Sequence, residues 1–445
     1  MKSNINILLT SVSIVLGFIL CTAIAVIINP HIFTSFFSNT PAKLFYDIEH
    51  YSNLAINPTC NAFYPLWPWL ISKLGNPKTV DDAALYFRVI GSLLSLISIP
   101  LFLFLLKQGI KSYKINFLVV ALYAINPLSV FRTIGYTEGI FGVLSLIFLF
   151  FLSNLKIASK TLIKFILILI SIFILSFLLS LTRPFLIQVT FSSILALVSI
   201  LLINKFQIKE NLNKEKFNKY FKIYSITTFI ICFGALLGYC VYGYYCLQSR
   251  GDFFAPFHDQ KAWGKQLGIY PQLFFIPVTS ADFTAIYLPF VTLIVSCLIY
   301  ISINIKKLVF VTPKIWQWVL LFAYPPAFLA FYGVDFKRAN ASNSLTNLTE
   351  INLTQAAKNL SINYVFWFCI YFGLIHSIIV VFSDQKLTSL RRYIFGTPYF
   401  FVAIAYISNC FPTRKVTKLL LWLLGFSSIW LVKYWLDYAN DVWLG

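Results

Sequence analysis

The chain has 445 residues, of which 59% are hydrophobic and 11% charged, and 35 Lys and Arg against 15 Asp and Glu give a net charge of +20. These values exclude a water-soluble globular protein, since such domains are about half apolar and about a quarter charged. The positive charge does not indicate a nucleic-acid partner. Its densest run, Lys205–Lys222, is bracketed by long apolar segments and is typical of a loop that touches anionic lipid.

Apolar runs of about 20 residues recur along the chain, and this is the length that crosses a bilayer core as a helix. They predict an all-α polytopic membrane protein, a single domain over residues 1–445 with about 11–13 transmembrane helices. The first run is too long for a signal peptide and is predicted to remain as an anchor. The predicted spans are Ile7–Asn29, Ala83–Leu106, Asn116–Phe131, Glu138–Ser153, Leu162–Leu181, Pro184–Asn204, Ile223–Leu247, Phe283–Asn304, Ile315–Val334, Ile362–Phe382, Ile394–Phe411 and Leu419–Trp435.

Three hydrophilic segments stand out between these spans: a first outer loop at 30–82, a middle outer loop at 248–282 and a polar loop at 335–361. Basic residues near span ends are retained on the cytoplasmic side. With the N-terminus inside, sixteen Lys up to Lys314 fall on the cytoplasmic side and eight Lys and Arg on the other. The first outer loop is therefore predicted to face away from the cytoplasm.

Beyond Lys314 the sequence leaves two topologies open. Simple alternation places the polar loop outside, but it also places the basic run Arg414–Lys418 outside, against the charge rule. If Ile315–Val334, which contains two adjacent prolines, does not cross the membrane, this conflict disappears. In that case Arg392 lies on the outer face.

Candidate site residues lie in four outer stretches. The first outer loop contains YDIEHY, with Asp47, Glu49 and His50 within four positions. Ionisable residues are rare in such a chain and are often functional, although solvated loop charges are an equal alternative. Asp47 would suit a general base acting on a hydroxyl. The same loop continues in NAFYPLWPWL, whose prolines and tryptophans are typical of an interfacial segment.

Two tight outer turns add further charges. NPLSVFRTIGYTEGIF, residues 126–141, places Glu138 at the start of a helix, where the helix dipole favours a carboxylate. LTRPF, residues 181–185, presents Arg183, whose guanidinium would suit a phosphate group. The middle outer loop is long and aromatic enough to cover a site, and a plain interfacial segment is the alternative.

The sequence contains no Gly-rich phosphate loop and no GxGxxG motif, and its longest inner loop has about eighteen residues, too short for a nucleotide-binding domain. If the protein is an enzyme that transfers a group, its donor substrate is therefore expected to arrive through the lipid and not as a water-soluble nucleotide. No cofactor is predicted, because no CxxC or Cys/His spacing indicates a metal. A divalent cation is compatible with the sequence, but no dedicated set of metal ligands is visible. Cys60 and Cys246 could meet outside the membrane, and the spacing alone does not pair them.

Taken in order, four motifs resemble those of the PIG-V family, the GPI mannosyltransferase 2 enzymes and their bacterial relatives: YDIEHYSNLA, FYPLWP, NPLSVFRTIGYTEGIF and LRRYIFGTPYF. They span residues 46–400. The resemblance implies a GT-C fold that transfers mannose, with inversion and without a nucleotide, from a polyprenyl (dolichyl-type) phosphate donor. The acceptor would be a glycolipid or glycan on the outer or luminal face of an endoplasmic reticulum or bacterial plasma membrane.

The resemblance also implies roles for single residues. Asp47 would be the catalytic residue, with His50 beside it and Glu138 as a second acid. The implied substrate-binding residues are Tyr51, Tyr136, Arg183, Arg392 and Tyr393. One rival hypothesis is a flippase or transporter of lipid-linked sugars, which would place its polar groups near the bilayer midplane. The other is a structural protein, which would tolerate loss of Asp47.

Overall fold

A computed structural model gives the fold of residues 2–37, 47–206, 214–265, 267–276, 280–305, 314–342, 360, 363–383, 389–411, 413–442 and 444. Within these ranges the regular elements are helices, and two short 3₁₀ turns occur at Asp259–Trp263 and Pro271–Phe274. The helices, numbered here in chain order, are α1 Lys2–Ile28, α2 His31–Phe37, α3 Asp47–Ile56, α4 Leu66–Gly75, α5 Val80–Gly109, α6 Tyr113–Ile125, α7 Ser129–Thr133, α8 Glu138–Ala158, α9 Leu162–Thr182, α10 Leu186–Phe206, α11 Lys214–Arg250, α12 Ala255–His258, α13 Ser280–Ile305, α14 Ile315–Ala323, α15 Pro325–Ser342, α16 Tyr364–Val381, α17 Leu390–Phe395, α18 Pro398–Ser408 and α19 Thr413–Ala439.

Eight of the described helices are long and apolar enough to cross a membrane: α1, α5, α8, α9, α10, α11, α16 and α19. Three shorter apolar helices, α6, the Thr284–Tyr300 part of α13 and α18, bring the number to eleven. The chain is an all-α, multi-pass integral membrane protein, as its hydropathy predicts. Many large apolar side chains face outward from these helices, which fits a surface in contact with lipid.

Hydrogen bonds and ion pairs at the helix termini define the two ends of the bundle. At one end, called the site end below, the start of α8 contacts the residue that follows α9 through Glu138 and Arg183. At the opposite end, the last turn of α5 meets the last turns of α8, where Asn154 donates to Gln108. The long helices therefore alternate in direction, as in other helical membrane proteins.

The segment Ile315–Val334, predicted as a span, does not cross the bundle. It forms two helices, α14 and α15. The chain reverses at the prolines that begin α15, so that α15 runs back alongside α14. Gln317 of α14 donates to the carboxylate of Asp335 at 2.8 Å, and the rings of Trp316 and Phe331 lie 5.4 Å apart. The prediction of a span was wrong because hydropathy does not report the direction of the chain after a proline pair.

With this hairpin, the last helices adopt the second of the two topologies. Near the end of α16, the carbonyl of Phe382 accepts from the amide of Gly268 in the middle outer loop. Near the start of α16, Phe366 lies against Tyr406, which packs on Gly109 at the opposite end of the bundle. Consequently α17 lies at the site end, and the basic start of α19 lies at the opposite end with the Lys-rich loops.

The first outer loop is largely helical, which its description as a loop did not anticipate. Asp47 opens α3, whereas Tyr46 lies outside the described residues. In α4, Pro65 precedes the helix and Pro68 occupies its first turn, where proline costs no hydrogen bond. The indole of Trp67 donates to the carbonyl of Gly135 at 2.9 Å and fixes α4 beside the turn before α8.

A disulfide between Cys60 and Cys246 joins the first outer loop to the end of α11. Arg250 donates to the carbonyl of Cys60 and forms an ion pair with Asp259 at 2.6 Å, so the middle outer loop is fastened at the same point. Disulfides persist in oxidising compartments. The bond therefore agrees with the charge distribution in placing the site end away from the cytoplasm.

The polar loop predicted at 335–361 is partly helical, since α15 continues through Ser342. Residues 343–359 lie outside the described part of the chain. The start of α16 lies at the opposite end of the bundle, which disagrees with simple alternation, because alternation had placed the end of this loop outside.

Candidate active site

Four charged residues from separate parts of the chain meet at the site end. They are Asp47, the first residue of α3, Glu138, the first residue of α8, Arg183, directly after α9, and Arg392 in α17. We call them the charge cluster. Arg392 is its centre: Nη1 lies 2.9 Å from Asp47 Oδ2, and Nε lies 3.0 Å from Glu138 Oε1. Arg183 Nη2 approaches the same Glu138 oxygen at 3.3 Å.

The cluster is well shielded from solvent. The side chain of Glu138 is fully buried, and those of Arg392, Arg183 and Asp47 keep 6%, 10% and 14% of their surface exposed. Buried charges are retained only when they are paired. Asp47 is the most accessible of the four and is the carboxylate that a substrate would reach first.

One buried oxygen of the cluster has no protein partner. Glu138 Oε1 faces both guanidiniums, but Oε2 has no hydrogen-bond donor among the described residues. An unsatisfied buried acceptor costs about 1–3 kcal/mol. Such groups occur where a ligand or water supplies the missing bond.

Aromatic residues surround Arg392. Its guanidinium carbon lies 4.9 Å from the ring centre of Tyr136 and 5.4 Å from that of Phe131. Its Nη2 donates to the hydroxyl of Tyr393 at 3.3 Å. Nη1 and Nη2 therefore donate hydrogen bonds to Asp47 and Tyr393, while Nε lies within ion-pair distance of Glu138.

The pKa values of the tyrosine hydroxyls at the site are shifted in opposite directions. Burial, with the charges of Asp47 and Glu138, raises the pKa of Tyr51, and burial together with Asp47 raises the pKa of Tyr136. For Tyr393, burial acts upward, but the charges of Arg392, Lys265 and Arg183 outweigh it and lower the pKa. Tyr51 and Tyr136 are therefore neutral hydroxyls near the carboxylates, whereas Tyr393 lies in positive potential.

The predicted site residues divide into two groups. The structure brings together Asp47, Glu138, Arg183, Arg392, Tyr51, Tyr136 and Tyr393. His50 lies one turn along α3, with its ring stacked on Phe63 at 4.8 Å. Glu49 is exposed on the same helix. His50 therefore lies beside the cluster and packs against the ring of Phe63.

Two residues near the cluster were not predicted. The ring of His376 in α16 lies 4.7 Å from that of Tyr393. Lys265, in the middle outer loop, is close enough for its charge to act on both Tyr393 and His376. Sequence reasoning had left this loop as either a cover or a plain interfacial segment, and Lys265 carried no signal that distinguished it from Lys261.

The arrangement has no metal site of the usual kind. Among the described residues, no three His, Cys, Asp or Glu side chains come together in a way that could hold an ion. The two carboxylates of the cluster already face guanidiniums, which would compete with a cation for the same oxygens.

Comparisons with known proteins give little sequence relationship. No family model matches the chain, and no curated protein matches it. Among solved structures, one match is the oligosaccharyltransferase of Archaeoglobus fulgidus in complex with zinc and sulfate, with a TM-score of 0.33 and 11% identity. The alignment covers 86% of this chain and 53% of that protein, so the chain spans about half its length.

Proposed function

We propose that the protein is a membrane glycosyltransferase of the GT-C type, which transfers a sugar from a polyprenyl phosphate donor to a hydroxyl of a glycolipid or glycan. One observation carries the proposal: Asp47, Glu138, Arg183 and Arg392 form a single buried charge cluster at one end of the bundle. Asp47, Glu138 and Arg392 come from the motifs that resemble the PIG-V family, and the mannosyl donor is inferred from that resemblance.

The position of the cluster supports a donor carried by the lipid. The charged residues lie at helix ends, on the side that carries the disulfide and that the distribution of basic residues predicts to be the outer face. A polyprenyl phosphate has its head group at that level and its chain in the bilayer. Because the cluster lies at the bundle end, transfer is favoured over the alternative of a flippase, which would need polar groups near the midplane.

The proposed reaction is a direct displacement. Asp47 accepts the proton of an acceptor hydroxyl as that oxygen attacks the anomeric carbon. The bond between that carbon and the phosphate oxygen breaks, and the polyprenyl phosphate leaves with the electron pair. A single displacement inverts the anomeric configuration. Its leaving group is an anion, so positive charge at the phosphate contributes more than a general acid.

Arg392 acts in this scheme as a positioning residue. It holds Asp47 and Glu138 on either side of one guanidinium, so the two carboxylates keep fixed places relative to each other. The unpartnered Oε2 of Glu138 is suited to accept a hydrogen bond from a sugar hydroxyl. This assignment differs from the sequence-based hypothesis, in which the resemblance made Arg392 a substrate-binding residue.

The proposal is tested by supplying purified protein in nanodiscs with a labelled polyprenyl phosphate mannose and a panel of glycolipid acceptors. Transfer from this donor, with none from a nucleotide sugar, is the expected result. A labelled product that forms from nucleotide sugars alone would contradict the proposal. Labelled donor that crosses the bilayer without any transfer would favour the flippase.

A further inference from the structure

The site end contains more cationic side chains than carboxylates. Asp47 and Glu138 face Arg183 and Arg392, and Lys265 adds a third positive charge nearby. The charge of Arg132 also acts on Glu138, so the positive charges around these two carboxylates outnumber them. An excess of this sign is suited to an anionic ligand.

Arg392 is not available for that ligand. Its Nη1, Nε and Nη2 face Asp47, Glu138 and Tyr393 respectively. Arg183 is different. Only its Nη2 approaches a carboxylate, at the longer distance of 3.3 Å, and its guanidinium lies over the ring of Tyr393 at 4.4 Å. Its other nitrogens form no hydrogen bond to the described residues and can face a ligand.

The segment that carries Lys265 is fixed over the cluster. Gly264 adopts a left-handed conformation (φ 74°) that turns the chain before Lys265, and the amide of Gly268 donates to the carbonyl of Phe382 at 3.0 Å. Further along, Leu273 packs into a small core with Ile394, which belongs to the helix of Arg392. Lys265 is thus held near the cluster by backbone and core contacts.

The acidic residues of the same loop do not neutralise Lys265. Asp259 pairs with Arg250, and Asp252 pairs with His258 at 2.8 Å. Within the described ranges, the ammonium group of Lys265 has no carboxylate in ion-pair distance. Its side chain is half-buried rather than fully solvated, unlike that of Lys261, which is exposed four positions earlier.

We propose that Arg183 and Lys265 together bind the phosphate of the lipid-linked donor, so that the middle outer loop supplies a substrate-binding residue as well as a cover. The inference rests on the proposed function and specifies its donor site. Arg183 would offer its remaining N–H groups and Lys265 a point charge on the other side of the phosphate. Tyr393 lies against the guanidinium of Arg183, at 4.4 Å from its ring centre, and feels the charge of Lys265 as well.

The test measures binding of polyprenyl phosphate, without sugar, to protein in phosphatidylcholine nanodiscs. Lys265→Gln is expected to weaken binding at least about tenfold, because a charge-assisted hydrogen bond is lost. Lys261→Gln, which removes the same charge from the same loop, is the matched control and is expected to bind as the wild type does. Lys265→Arg is expected to restore most of the affinity and also shows that the loop tolerates substitution.

Kinetics with the labelled donor separate this role from a structural one. Lys265→Gln is expected to raise the KM for the donor and also to lower kcat, because the phosphate gains negative charge as it leaves, whereas Lys261→Gln is expected to change neither. Equal effects of Lys265→Gln and Lys261→Gln would overturn the inference, as would full competition by phosphatidylglycerol. If binding depends on Lys265 but no sugar is transferred, the inference holds and the proposed function fails; a wild type that binds no polyprenyl phosphate overturns both.

Discussion

Arg392 and Asp47 are 345 positions apart in the sequence, yet Arg392 Nη1 lies 2.9 Å from Asp47 Oδ2. This ion pair joins α17 to α3, and the contact of Arg392 with Glu138 extends it to α8. The candidate active site therefore forms only when the last third of the chain meets the first. The same ion pairs of Arg392 therefore arrange the candidate active site and contribute to the stability of the fold.

Replacement of Arg392 by Ala is expected to destabilise the protein strongly. The substitution leaves Asp47 without its partner and Glu138 with Arg183 alone, and breaking a buried ion pair from one side costs about 3–5 kcal/mol. Thermal unfolding in detergent measures the effect. Arg391→Ala, at a half-buried neighbour outside the charge cluster, is the control. Equal losses in the two variants would show that the cluster does not stabilise the fold.

Glu138 and Arg183 are expected to be energetically coupled. Glu138→Gln removes the charge that both guanidiniums face, so a second change, Arg183→Gln, should cost less in that background than in the wild type. A double-mutant cycle of unfolding free energies should give a coupling of about 0.5–3 kcal/mol. Additive losses, with no coupling, would mean that the 3.3 Å contact contributes nothing to stability.

The sequence predicted the class of fold and the outer stretches that carry the charge cluster, because hydropathy and charge act locally. Apolar runs report the spans, and Lys and Arg report the side of the membrane. Asp47, Glu138 and Arg183 were rare charges in an apolar chain, which marked them as candidates, whereas Arg392 was implied by the resemblance of LRRYIFGTPYF.

Other features depend on contacts that a single sequence does not display. The direction of α14 and α15 is determined by the bond between Gln317 and Asp335 and by their shared apolar core. The ion pairs of Arg392 depend on the meeting of α17 with α3 and α8, and the approach of Lys265 depends on how the middle outer loop packs on α17. His50, one turn after Asp47 on α3, stacks on Phe63 of the same outer loop, a contact that the spacing of the two residues in the sequence does not display.

The disulfide is expected to contribute to stability and to report the compartment. Replacing Cys60 and Cys246 by Ser should lower the free energy of unfolding by about 2–5 kcal/mol. Cys297→Ser, at an exposed free cysteine, should have little effect. Thiol labelling after denaturation without reductant should leave Cys60 and Cys246 unmodified. Free thiols at both positions in protein taken from native membranes would contradict the outer placement of the site end.

The α14–α15 hairpin fixes the side on which α19 ends. With the hairpin, the end of α19 lies at the site end, as the bond of Asn29 to Asn440 also requires. A dual phosphatase and green fluorescent protein reporter fused after Gly445 should be phosphatase-active and non-fluorescent. Fusions after Ser159, in the turn beyond α8, should give the opposite pattern. A fluorescent fusion after Gly445 would support twelve alternating spans instead.

The most direct test of the central claim compares two carboxylates of α3 that lie two positions apart. Asp47→Asn removes the proposed base, whereas Glu49→Gln changes an exposed acid on the same helix. Transfer of labelled sugar from polyprenyl phosphate is measured for both, with thermal unfolding as the check on folding. Loss of about 10²-fold or more in kcat for Asp47→Asn alone is the predicted result. Normal transfer by folded Asp47→Asn protein would contradict the account.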